Sequence, residues 1–334
     1  ESVFEDVKNA ETQVNLYKAA AIDVSGNYTA VDPFKDVKVF AGTDKETTFA
    51  KWLDEKLDST TSAGDWADVA KAIDSVIAAA EETESTSDNI TVTKTVAKEK
   101  ASVNAEKLET GLYLVDVQRI LTEEHRYEFT PYLISVPNNN YSDTVAGSAD
   151  DWVYQNITVG LKPQQFNRYG YLKIEKALDT VNGMSDGAVF VFEVTAAKDG
   201  ETVFNDVVAI DYLTGTDRAN WVKVGPIEAG AEVTVEEVYT GANYEKVSDT
   251  ASSEIIINAD PAMDEATGDT WDTVVADRLA VKDADCDVSV TFTNKSGDKP
   301  FSGTGVVNTF KADDDRWDAS QDYQGQELPT STGQ

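Results

Sequence analysis

Residues 171–178 read YLKIEKAL, and the fold turns on how that octet is placed. Strict alternation puts Leu172, Ile174, Lys176 and Leu178 on one side. A period of two is that of a β-strand with one buried face. Lys176 is the exception on that face, a charge pointed among aliphatic side chains. Two later stretches share the oddity. In EVTVEEVY (232–239) the apolar register carries Val233, Val235 and then Glu237. In VSVTFTNK (288–295) it carries Val288, Val290, Phe292 and then Asn294. Each polar group buried alone costs several kcal/mol. A common meeting point for Lys176, Glu237 and Asn294 removes that cost.

Working outward, 188–196, 203–210, 221–224 and 254–257 also read as strands bounded by turn residues. Seven short strands so spaced predict a β-sandwich. Upstream, 14–22, 90–95, 111–117, 127–136 and 152–161 have strand character as well. Between the first two of these the period changes. Phe49, Trp52, Leu53 and Leu57, then Trp66, Val69, Ile73, Val76 and Ile77, recur at helical spacing, with Asp65 as the expected N-cap. The expected fold class is all-β, two immunoglobulin-like sandwiches in tandem, the first with a helical insertion at about 46–82. The expected domains are 1–164 and 165–310, followed by a polar, flexible tail over 311–334.

Buried together, the three polar groups can react. Desolvation favours a neutral amine and a neutral carboxylic acid. A neutral Lys176 amine is a nucleophile. A protonated Glu237 can hydrogen-bond the side-chain carbonyl of Asn294, polarise it and move protons. Attack at that carbon expels ammonia and leaves an isopeptide bond between Lys176 and Asn294. The chemistry is self-directed and single-turnover, driven by proximity, so no enzyme activity on a separate substrate is expected. Glu236 is the alternative acid, and Asn308, in GVVNTF, the alternative acceptor. In the first half, Lys18 and Asn156 form a second conceivable pair, with Glu109 and Glu128 as available acids.

These residues carry a resemblance. YLKIEKAL, GPIEAGAEVTVEEVYTGANY (225–244) and VTFTNKS (290–296) resemble, in order, the Lys, Glu and Asn segments of the CnaB-type isopeptide-forming domain of Gram-positive pilins and adhesins. The first half, through VNLYKAAAID (14–23), LETGLYLVDV (108–117) and YEFTPYLISVP (127–137), resembles the N-terminal domain of sortase-linked pilins. WVYQNITVGLKP (152–163) is similar to the pilin motif whose lysine accepts the next subunit, which makes Lys162 the implied acceptor. Here Lys162 precedes Pro163 instead of following a proline. ELPTSTGQ (327–334) resembles a sortase sorting signal through Leu328, Pro329, Thr332 and Gly333, with one residue more than usual between Pro329 and Thr332. The resemblance implies a shaft or basal subunit of a covalently polymerised pilus, anchored to the cell wall outside the cell. Its partners would be other pilin subunits joined by a class C sortase, and peptidoglycan. A surface adhesin or tip subunit gripping a host protein or glycan is the alternative.

Bulk composition agrees. The formal charge of -33, from 61 acidic and 28 basic residues, would repel a phosphate backbone, so no nucleic-acid partner is expected. One cysteine excludes an intrachain disulfide, and one histidine leaves little for a His-based metal site or triad; no cofactor is expected. No apolar run approaches the roughly 20 residues that span a bilayer.

Overall fold

The structure is a computed structural model. It describes residues 6–55, 60–81, 92–96, 108–137, 160–181, 188–212, 219–242, 244–247, 252–281, 286, 288–297, 305–313 and 316–324. Among these, no helix is long and apolar enough to cross a membrane. The protein is all-β, built from several sheets in immunoglobulin-like sandwich style with few helices.

In the N-terminal half, β1 (Thr12–Ile22) is the longest strand. One edge of it pairs with both β2 (Tyr28–Ala30) and β5 (Val92–Val96), the other with β6 (Gly111–Val117). β9 (Tyr132–Val136) extends the sheet beyond β6. The short β3 (Lys38–Val39) and β4 (Thr47–Thr48) pair with each other. β7 (Ile120–Leu121), β8 (His125–Phe129) and β10 (Pro163–Asn167) make a second sheet. The stretch read as one strand over 127–136 is thus two strands in different sheets. Thr130 and Pro131 lie between them, and proline cannot donate to a ladder.

Two helices follow β4, as the period demands. α1 (Phe49–Glu55) buries Phe49, Trp52 and Leu53, and α2 (Ala63–Glu81) buries Val69, Ala70, Ile73 and Ile77. Trp52 and Trp66 meet edge to face at 4.9 Å, joining the two helices. The cap differs from expectation. Ser62 Oγ accepts from Asp65 N at 3.1 Å, while Asp65 Oδ2 accepts from Ser62 N at 2.9 Å. Ser62 is therefore the N-cap and Asp65 the reciprocal partner three residues on, a capping box.

The C-terminal half is a sandwich around one apolar core. One sheet runs β14 (Ala219–Glu228), β11 (Tyr169–Leu178), β18 (Val288–Ser296), β16 (Tyr244–Lys246). The facing sheet runs β13 (Glu201–Tyr212), β12 (Ala188–Lys198), β15 (Glu232–Tyr239), β17 (Ser252–Ile256). β11 and β18 are parallel neighbours, with Lys176 opposite Phe292 and Leu178 opposite Asn294. Alternation places Leu172, Ile174, Phe190, Phe192, Val194, Val233, Val235 and Phe292 in the core. Each such side chain contributes roughly 1.5–3 kcal/mol by leaving water.

Two elements depart from the sequence reading. α3 (Trp271–Ala280) was not expected: it is short, rich in Asp, and buries no residue fully, so its apolar stripe is faint. The stretch from Lys311, read as a flexible tail, is part of a hairpin up to Gln324. β19 (Gly305–Asp313) pairs with β20 (Arg316–Gln324).

Between the halves the chain has no slack. Arg168 is the one residue separating β10 from β11. Its N donates to Glu124 O and its O accepts from Ala229 N, both at 2.9 Å. Its guanidinium forks onto the Asp264 carboxylate at 2.9 and 2.8 Å, and Arg126 donates to the Asp264 carbonyl. Lys198–Glu124 at 2.9 Å and Arg119–Glu265 at 2.5 Å flank it.

Candidate functional site

Three strands of the C-terminal sandwich deliver the three polar residues of the apolar registers to one point. Lys176 comes from β11, Glu237 from β15 on the facing sheet, and Asn294 from β18. Their residue exposures are 0%, 3% and 0%. One oxygen, Glu237 Oε1, lies 2.9 Å from Lys176 Nζ and accepts from Asn294 Nδ2 at 2.8 Å. Amine and amide are therefore held against a single carboxyl oxygen.

The packing is tight but poorly satisfied. The 2.9 Å approach of Nζ to Oε1 is an ion-pair distance. Among the described residues, Lys176 Nζ, Glu237 Oε2 and Asn294 Oδ1 are buried without hydrogen-bond partners. Unmade hydrogen bonds on buried groups cost about 1–3 kcal/mol each. Nζ sits 4.7 Å from the centroid of the Phe190 ring, which Tyr212 and Tyr244 meet edge on. The Tyr212 hydroxyl donates to the Lys176 carbonyl and fixes the strand beneath the amine. Burial lowers the Lys176 pKa; the opposing pull of Glu237 does not restore it, and Lys246 lowers it further. A lowered amine pKa favours the neutral, nucleophilic form.

One expectation is corrected. Glu237 meets the amide nitrogen of Asn294, not its carbonyl oxygen. Thr240 O accepts from the same Nδ2 at 3.3 Å. A carbonyl can only accept, so the amide turns its nitrogen toward both acceptors. Phe190 and Thr240 were not singled out from sequence. Phe190 looks like any core aromatic, and Thr240 acts through its backbone.

The remaining candidates stand elsewhere. Glu236 is exposed on the outer face of β15. Asn308 belongs to β19, but its side chain lies outside the described residues. Lys162 is exposed immediately before β10. Lys18 pairs with Glu109 at 2.8 Å, and this bond holds the Glu109 carboxyl below its usual range. Asn156 lies outside the described residues, as do Leu328, Pro329, Thr332 and Gly333. Glu128 lies 3.2 Å from Arg126 Nε. No group of three or more His, Cys, Asp or Glu residues suited to a metal ion occurs among the described residues.

No family model matches the sequence, and no curated relative matches it. Among solved structures the chain is similar to the major pilin T3.2 of Streptococcus pyogenes. That match has 11% identity, covers 86% of this chain and 90% of that one, and has a TM-score of 0.23. It is also similar to the major pilin SpaA of Corynebacterium diphtheriae, at 12% identity and a TM-score of 0.21. The match covers 87% of this chain and 61% of the corynebacterial one. Likeness at these values decides neither family nor function.

Proposed function

We propose that this chain is a structural subunit of a covalently assembled surface pilus, and that its C-terminal sandwich is closed by an isopeptide bond between Lys176 and Asn294. The observation that carries this reading is the complete burial of an amine and an amide against one carboxyl oxygen. Unreacted, three buried polar atoms lack hydrogen bonds, and Nζ has only its ion pair with Oε1; reacted, the amine and the amide become one amide. The balance is simple. Lys176 Nζ, as the neutral amine, forms a bond to Asn294 Cγ. Glu237 Oε1 takes a proton from Nζ and gives it to Nδ2, which leaves as ammonia. Both nitrogens already lie against that oxygen, so the proton moves without rearrangement.

The placement of the bond suits a fibre. The chain enters the sandwich at β11 and reaches β18 last, and these two strands are adjacent and parallel. A tie between them carries tension from one to the other without loading the hydrogen-bonded ladders. In this reading Lys162, exposed before β10, is the amine to which a class C sortase joins the next subunit through the 328–333 signal.

The test is an intact mass. The expected value is the sequence mass less one ammonia, returning to the full mass in Glu237→Ala. An undiminished mass for the unsubstituted chain overturns the reading. Assembly is tested separately. Incubation with a class C sortase should give SDS-resistant ladders that vanish in Lys162→Ala; ladders that persist in that variant would remove Lys162 from its role.

A further inference from the structure

We propose, resting on that bond-forming reading, that the turn Thr240–Gly241 is the positioning element that aims Asn294 at Lys176. Two observations meet there. First, the Thr240 carbonyl and Glu237 Oε1 accept from the same Asn294 nitrogen, at 3.3 and 2.8 Å. A primary amide nitrogen has two hydrogens, and these two acceptors take both. The amide plane is thereby fixed, with the departing nitrogen toward the group that must protonate it. Glu237 Oε1 alone would hold one hydrogen of that nitrogen; Thr240 O holds the other.

Second, the turn is shaped around the ring that underlies the amine. Gly241 has φ +79, in the left-handed region that favours glycine. A Cβ built there would meet Phe190 Cε1 at 3.0 Å and Cζ at 3.3 Å, and the carbonyl of Val189 at 3.3 Å. Phe190 is the ring 4.7 Å from Lys176 Nζ. One turn therefore governs both partners. Gly241 lets the ring lie close under the amine, and its neighbour's carbonyl holds the amide. A side chain at 241 pushes the ring or the turn by a few tenths of an ångström, and reactions between held groups are sensitive to such shifts.

The experiment starts from chain that has never folded, recovered from inclusion bodies at its full sequence mass, refolds it from denaturant and follows ammonia loss by intact mass against time, with near-UV circular dichroism reporting the folded fraction. Gly241→Ala should fold yet lose ammonia at least about tenfold more slowly than the unsubstituted chain. Gly200→Ala is the control. It has φ +84 in the β12–β13 turn of the same sandwich, with nothing within 4 Å of its Cβ. It carries comparable backbone strain and should react at the unsubstituted rate. Should Gly241→Ala not fold, Gly241→Asn is read in its place, because asparagine tolerates this backbone region while still bringing a Cβ to Phe190. A folded 241 variant that reacts at the unsubstituted rate overturns the proposal, as does equal slowing in Gly200→Ala. No ammonia loss in the unsubstituted chain instead overturns the bond itself.

Discussion

A lysine amine with no exposed surface is pushed by burial toward its neutral form. In a variant that cannot react, Asn294→Ala, this makes the amine a pH-dependent weakness. Where the folded amine is neutral and the unfolded one still protonated, the unfolded chain binds more protons, so stability rises with pH. The window runs from the lowered pKa of Lys176 to the ordinary lysine value of about 10.4. Thermal unfolding of Asn294→Ala/Glu237→Gln beside the same variant with Lys176→Met measures the effect, the glutamine keeping a buried carboxylate out of both. The methionine variant should have the higher Tm near neutrality, and the gap should narrow as pH rises toward about 10. A constant gap would mean that Lys176 stays charged when folded. The meeting of Lys176, Glu237 and Asn294 was legible because a polar residue in an apolar register has nowhere to go but inward. Which atom of Asn294 faces the acid was not legible, since a backbone carbonyl decides it and carbonyls leave no trace in a sequence.

At the level of elements, period was the readable signal. β11, β12, β15 and β18 alternate cleanly because one face of each meets a core, and α2 shows its 3.6-residue stripe for the same reason. α3 and the β19–β20 hairpin escaped because neither displays such a contrast between faces in the sequence. The start of α2 escaped by three residues, since Ser62 and Asp65 are both good caps and their reciprocal bonds form only in the folded chain. Ser62→Ala removes one of those bonds and should cost about 1 kcal/mol of stability. Urea unfolding of the N-terminal half reads this directly. A midpoint unchanged at constant slope would mean that tertiary packing alone holds the helix start.

Across the whole molecule, the two halves are joined at Arg168 by buried ionic contacts instead of a free linker. Asp264, 4% exposed, satisfies the Arg168 guanidinium and lends its carbonyl to Arg126. Asp264→Asn would leave that guanidinium short of its counter-ion, a change that costs roughly 3–5 kcal/mol when a buried pair is broken. Small-angle scattering should then show a broader spread of interdomain distances than in the unsubstituted chain; an identical profile would assign the rigidity to the β10–β11 backbone alone. The parallel seating of β11 beside β18 has another consequence once Lys176 and Asn294 are joined. Residues 176–294 become a covalent ring. A protease that cuts once inside this ring opens it without releasing a fragment, so the nicked chain gains the mass of one water and remains in one piece on a denaturing gel. A chain so closed survives a first bite.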